Sequence, residues 1–90
     1  MNYRIEITPH AARQLKRLAR PIQAKLVARI EQLAHDPRPQ GVVSLSGAKD
    51  LLRIRDGDYR IVYSVEDDVL LVIVVGVGNR KDIYQRLFGR

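Results

Sequence analysis

Apolar and polar residues alternate at the start of the chain: Tyr3, Ile5 and Ile7 fall on one side, Arg4 and Glu6 on the other. A period of two belongs to an extended strand with one face buried, so Tyr3 to Thr8 is expected as a short strand. Thr8-Pro9 then supplies a helix start, with threonine as N-cap and proline at the first helical position, where its missing N–H is not needed. The period lengthens from there. Ala12, Leu15, Leu18 and Ala19 recur at helical spacing, with Arg13, Lys16 and Arg17 mostly off that stripe. Pro21 interrupts the chain and can open a second helix, whose apolar face is Ile22, Leu26, Ile30, Leu33 and Ala34. The spacing predicts a helical hairpin from about residue 9 to 36.

Asp36-Pro37-Arg38-Pro39-Gln40-Gly41, with two prolines and a glycine in six residues, reads as a loop, and Val42 to Asp50 as irregular chain with Gly47 at a turn. Leu51 to Arg55 and Tyr59 to Glu66 are strand-like and flank Asp56-Gly57-Asp58, a turn-forming stretch that predicts a hairpin. Val69 to Val77 is a nearly continuous aliphatic run, the pattern of a strand covered on both faces, and is expected inside the sheet. Arg80 to Phe88 suits a last short helix. The order is β-α-α-β-β-β, an α+β fold. Its helical hairpin packs on a mainly antiparallel four-stranded sheet, and the opposite face is left to carry function.

The 90 residues suffice for one domain, spanning 1–90. There is no cysteine, which excludes disulfides and thiolate chemistry. The first residues contain no apolar signal core, and the longest apolar run is too short to cross a bilayer. A cytoplasmic protein without membrane contact is expected. Sixteen basic residues against ten acidic give a formal charge of +6, which favours polyanionic partners. The excess is concentrated late: Asn79 to Arg90 holds four basic residues and one acidic, and Arg53, Arg55 and Arg60 lie shortly before.

The chemistry the chain lacks narrows the function. There are two histidines, His10 and His35, both on the predicted helices, no Ser-His-Asp arrangement and no phosphate-binding glycine loop. Glu66-Asp67-Asp68 reads as a solvated turn. No metal or other cofactor is expected. What remains is arginine. Arg53 and Arg55 are two apart on one strand and share a face. The hairpin brings Arg60 beside Arg55 or Arg53, and Arg80 follows the long strand with Tyr84 one helical turn later. Four guanidinium groups and a phenol can therefore converge on a phosphodiester. Guanidinium binds phosphate oxygens through paired hydrogen bonds and stays charged, while tyrosine can stack on a base or exchange a proton. The alternative from spacing alone is that these are surface arginines paired with Asp50, Asp56, Asp58 or Asp82.

Leu45-Ser46-Gly47, Leu52-Arg53-Ile54-Arg55, Gly57-Asp58-Tyr59-Arg60-Ile61-Val62-Tyr63 and Val77-Gly78-Asn79-Arg80-Lys81-Asp82-Ile83-Tyr84 together resemble the RelE/ParE toxin superfamily. The resemblance spans nearly the whole chain and the order of its elements. It implies a RelE-type toxin of a type II toxin–antitoxin system: a metal-independent endoribonuclease (mRNA interferase) that cuts messenger RNA in the ribosomal A site and inhibits translation. By that resemblance Arg53, Arg55 and Arg60 bind phosphate and Arg80 supports the leaving group. Tyr84 orients the 2′-hydroxyl or accepts its proton. Some members carry lysine where this chain has Arg53 and Arg55, and many carry histidine where Asn79 stands. Neither arginine nor asparagine suits proton transfer at neutral pH, which leaves that step to Tyr84 or to alignment and charge stabilisation.

The resemblance also implies a cognate RelB-like antitoxin, with the ribosome and messenger RNA as further partners. Operator DNA would be reached only indirectly, through the antitoxin complex. Two competing readings are a ParE-type DNA gyrase inhibitor on the same fold and a non-catalytic basic module that binds RNA or protein.

Overall fold

The computed structural model describes residues 2–45 and 50–79. The element order is β1 (Arg4–Ile7), α1 (Pro9–Lys16), α2 (Arg20–Gln32), β2 (Val43–Ser44), β3 (Leu52–Asp56), β4 (Tyr59–Glu66), a 3-10 turn (Asp67–Val69) and β5 (Leu71–Asn79). The strands form one mixed sheet in the order β1-β5-β4-β3-β2. The proposed C-terminal helix, with Arg80 and Tyr84, lies outside the described residues, as does part of the Leu45-Ser46-Gly47 motif.

The helical hairpin starts as the sequence predicts. The Thr8 side chain accepts a hydrogen bond from Ala11 N (3.1 Å) with Pro9 at the first turn. Gln23 Nε2 donates to the Leu18 carbonyl (3.0 Å), satisfying a backbone acceptor where the chain turns between the helices. Two expectations need correction. The buried positions of α1 are Ala11, Gln14 and Leu15, while Ala19 is exposed beyond the helix end. The helix is too short to carry the stripe as far as Ala19. α2 ends at Gln32 rather than Asp36, and the chain continues as turns, so His35 is not helical. Leu26, Ile30 and Leu33 are the core residues of the second helix and its end, with Ile22 packed against them. Each such side chain removed from water contributes about 1.5–3 kcal/mol.

The sheet has five strands, not four. β2 is two residues long and pairs antiparallel with β3 through Val43↔Arg53 and Ser44↔Leu52, too short to show any alternation in sequence. β3–β4 and β4–β5 are antiparallel, as expected, but β1 runs parallel to β5, with Ile5 opposite Val72 and Ile7 opposite Val74. β5 is interior, flanked by β1 and β4. Its two faces are not equivalent: Val72, Val74 and Val77 are fully buried in the helix-side core, whereas Leu71, Ile73 and Val75 are half-buried on the other side.

A register shift makes this arrangement possible. Val62 pairs with Gly76 while Tyr63 pairs with Val74, so Val75 is an extra residue on β5. The bulge changes the phase of the strand: Val77 joins Val72 and Val74 under the helices, and Gly76 and Gly78 turn to the opposite face. The β3–β4 hairpin closes with Asp56 opposite Tyr59 around Gly57, whose φ of 64° suits the first position of a two-residue hairpin turn.

Candidate functional site

The face of the sheet away from the helices carries the three described arginines. Ile54, Ile61 and Tyr63 point to the helices and join the core, so their neighbours along the strands, Arg53, Arg55, Arg60 and Val62, point away. The register settles which arginine meets Arg60. Arg55 and Arg60 are directly paired across the strands, and Arg53 stands opposite Val62 on one side and Val43 on the other. Side chains directly opposite on an antiparallel pair have Cβ atoms about 4.5–5.5 Å apart, and like charges so placed repel.

On its other side Arg60 faces Gly78, which contributes no side chain, and a Cβ at Gly78 would meet nothing within 4 Å. Arg60 is nevertheless only 7% exposed. It is sunk into the sheet surface, whereas Arg55 projects into solvent and Arg53 is half-buried. Arg53 Nε is buried with no hydrogen-bond partner among the described residues. Buried donors are rarely left without an acceptor.

Of the acids that could pair with the free-face arginines, Asp56 is committed elsewhere. Asp56 is on the helix side, where it meets Lys25 Nζ at 3.1 Å and Arg29 Nε at 4.0 Å. Among the described residues no acid forms an ion pair with Arg53 or Arg55. Glu66-Asp67-Asp68 is also more than a solvated turn. Arg38 Nη1 and Nη2 donate to the two Asp67 oxygens at 3.1 and 2.9 Å, and the Tyr3 hydroxyl donates to Asp67 Oδ1 at 2.8 Å. Those two donors hold the Asp67 carboxyl below its ordinary range, Arg38 acting most strongly. No three His, Cys, Asp or Glu among the described residues come together to hold a metal ion. No helix among them is long and apolar enough to cross a membrane.

Tyr63, which ends the Tyr-Arg-Ile-Val-Tyr motif within β4, is a structural tyrosine. It is 0% exposed, donates to the Pro37 carbonyl at 2.7 Å, and has its phenol pushed up to about 12 by burial. Its hydroxyl therefore stays protonated at physiological pH, anchoring the loop after α2.

One buried polar residue escaped the sequence reading. Gln14 is 8% exposed, and its Oε1 accepts from Val77 N at 2.8 Å. β1 pairs with β5 only as far as Val74, so the side chain supplies the acceptor that a continuing strand would have offered. The available signal was positional: a glutamine three residues after Ala11 and directly before Leu15 sits on the buried side of a short helix.

Comparison with known proteins places this architecture. The family described as "ParE toxin of type II toxin-antitoxin system, parDE" matches residues 5–84. Toxin RelE of Mycobacterium tuberculosis is 32% identical over 92% of this chain and 87% of its own length. The mRNA interferase toxin RelE of Escherichia coli is 26% identical over 90% of this chain and 86% of its own. Among solved structures, the toxin–antitoxin complex RelBE2 of M. tuberculosis matches with a TM-score of 0.78 and 25% identity, covering 89% of this chain and all (100%) of that one. A helical hairpin on a mixed five-stranded sheet with a basic free face is thus a toxin fold. The chain belongs to the ParE toxin family of type II toxin–antitoxin systems, within the RelE/ParE superfamily.

Proposed function

We propose that this protein is a RelE-type endoribonuclease that cuts messenger RNA on the ribosome and is restrained by a RelB-like antitoxin. The observation that carries this reading is the Arg55–Arg60 cross-strand pair beside Arg53, on a face where neither Arg53 nor Arg55 meets an acid among the described residues. Two facing guanidinium groups are stabilised when an anion lies between them, and a phosphodiester matches their paired donors.

In the reaction the ribose 2′-oxygen attacks the adjacent phosphorus. The 2′-O–P bond forms as the P–O5′ bond breaks; the 2′-hydroxyl loses its proton and the departing 5′-oxygen takes one from water, leaving a 2′,3′-cyclic phosphate and a 5′-hydroxyl. Arg53, Arg55 and Arg60 neutralise charge on the phosphoryl oxygens as it develops, a contribution that is large when the donors are already in place. Arg80 supports the departing 5′-oxygen and Tyr84 orients the 2′-hydroxyl or accepts its proton. Both assignments follow the family pattern for residues beyond those described. None of the arginines acts as the base, since guanidinium does not give up its proton in proteins.

The antitoxin partner is supported by the RelBE2 complex, which has this fold, and by a basic face that suits an acidic covering segment. The decisive experiment is to express the chain in a translation extract and map new 5′ ends on the messenger. Cuts that vanish in Arg80→Ala and Tyr84→Ala, with folding and antitoxin binding retained, support the site. A ParE-type activity is the second reading, favoured by the description of the matching family. Inhibition of gyrase supercoiling with no RNA cuts would establish it instead.

A further inference from the structure

We propose that the pocket between α1 and the ends of β4 and β5 receives a nucleobase flanking the cut, which rests on the nuclease reading of the adjoining arginine face. The pocket measures about 260 Å³, and its described lining is Gln14, Arg17, Leu18, Tyr59, Val77, Gly78 and Asn79, with no acid among these residues. That volume lies below the ~300–1,000 Å³ of complete small-molecule sites and suits a single ring system.

Its position links it to the arginines. Tyr59 and Asn79 are paired across β4 and β5, one residue along from the Arg60–Gly78 pair. Gly78 lines the pocket with its backbone while its side-chain direction faces Arg60, so the pocket adjoins the arginine face around the end of β5 rather than lying on it. A strand of RNA whose phosphate lies on Arg55 and Arg60 would pass around the end of β5 to place a neighbouring base here.

The chemistry of the wall selects the occupant. Gln14 is 8% exposed and its Oε1 is committed to Val77 N, which fixes the orientation of the amide. The polar group left to it is the Nε2 donor, which makes no hydrogen bond among the described residues. Arg17 adds a cation, Tyr59 an aromatic face and Leu18 an apolar wall. Donors and a stacking surface match a base whose edge presents a carbonyl, such as uracil or guanine.

The test uses the full chain in two assays. In the first, uridine 5′-monophosphate is titrated into isotope-labelled protein while the Val77 and Gly78 amides are followed by NMR. Both should shift, with affinity lowered about 5-fold by Gln14→Glu and by Arg17→Ala, the worth of one hydrogen bond. Gln14→Glu keeps an acceptor for Val77 N and replaces only the donor, so the strand end stays anchored. In the second assay, cuts mapped in a translation extract should show a base preference beside the cleaved bond that Gln14→Glu alters. Unmoved amides, or an unaltered cut distribution in Gln14→Glu, overturn the proposal while leaving the nuclease in place. A wild-type chain that binds the nucleotide at these amides yet cuts no RNA overturns the nuclease reading and leaves the pocket.

Discussion

Two arginine sites in different parts of the molecule show what a guanidinium does when its surroundings differ. Arg38, in the loop after α2, is held by both oxygens of Asp67 at 3.1 and 2.9 Å, with the Tyr3 hydroxyl on the same carboxylate. This clasp joins the start of β1, the loop and the turn after β4, and its charges are answered within the chain. Arg55 instead stands across from Arg60, with Arg53 alongside. The first arrangement closes the fold. The second places like charges opposite each other, which costs folding free energy and favours an anion from outside. The difference lies in what each arginine faces, not in the residue type.

The comparison can be broken most directly at Arg60. Arg60→Ala is expected to reduce messenger cutting in a translation extract by about 100-fold, the usual cost of removing a donor aimed at developing charge. Arg38→Ala should leave the cutting rate within about 3-fold, since surface pairs of this kind contribute little. Equal losses in the two variants would erase the distinction.

The next effect concerns the anchor between the sites. Tyr63→Phe deletes the hydroxyl bonded to the Pro37 carbonyl and should cost about 1 kcal/mol in urea unfolding. Burial raises the Tyr63 phenol from 10.0 to about 12, so the folded state holds that proton more tightly than the unfolded chain. Its contribution is complete below pH 10 and is lost as pH rises from 10 to about 12. Tyr63→Phe should lack that part of the alkaline slope.

Arg55→Thr sharpens the contrast by acting in opposite directions on stability and activity. Relief of the like-charge pair should raise unfolding stability by about 0.5 kcal/mol, while messenger cutting falls. A variant that loses both would show that Arg55 supports the fold. The smallest effect is expected at the clasp. Asp67 is held below its ordinary value of 3.8, so its contribution is present above the normal carboxylate range and fades as pH falls through the lowered value. Asp67→Asn should therefore flatten the acid limb of the stability profile and lower the denaturant midpoint slightly at neutral pH.

Much of this was legible from local pattern. The Thr8-Pro9 start, the Leu26-Ile30-Leu33 face and the hairpin around Gly57 each depend on a few neighbouring residues, and each forms where the pattern indicates. The shared face of Arg53 and Arg55 follows from the two-residue period of a strand, and only a bulge between them would undo it. Arg80, Tyr84 and the final helix fall outside the described residues and rest on the family pattern.

What the tertiary structure alone decided depends on how the strands meet in the sheet. Pairing of Arg60 with Arg55 rather than Arg53 is a question of hairpin register. Parallel pairing of β1 with β5 joins segments at opposite ends of the chain, and the bulge at Val75 in the β4–β5 pair turns Gly78 toward Arg60. Gln14 gains its role only when β5 brings an N–H that β1 no longer reaches. Periodicity specifies which side of an element is apolar. Only the packed sheet specifies which element lies beside it, and for arginines, glycines and a buried amide that neighbour determines the chemistry.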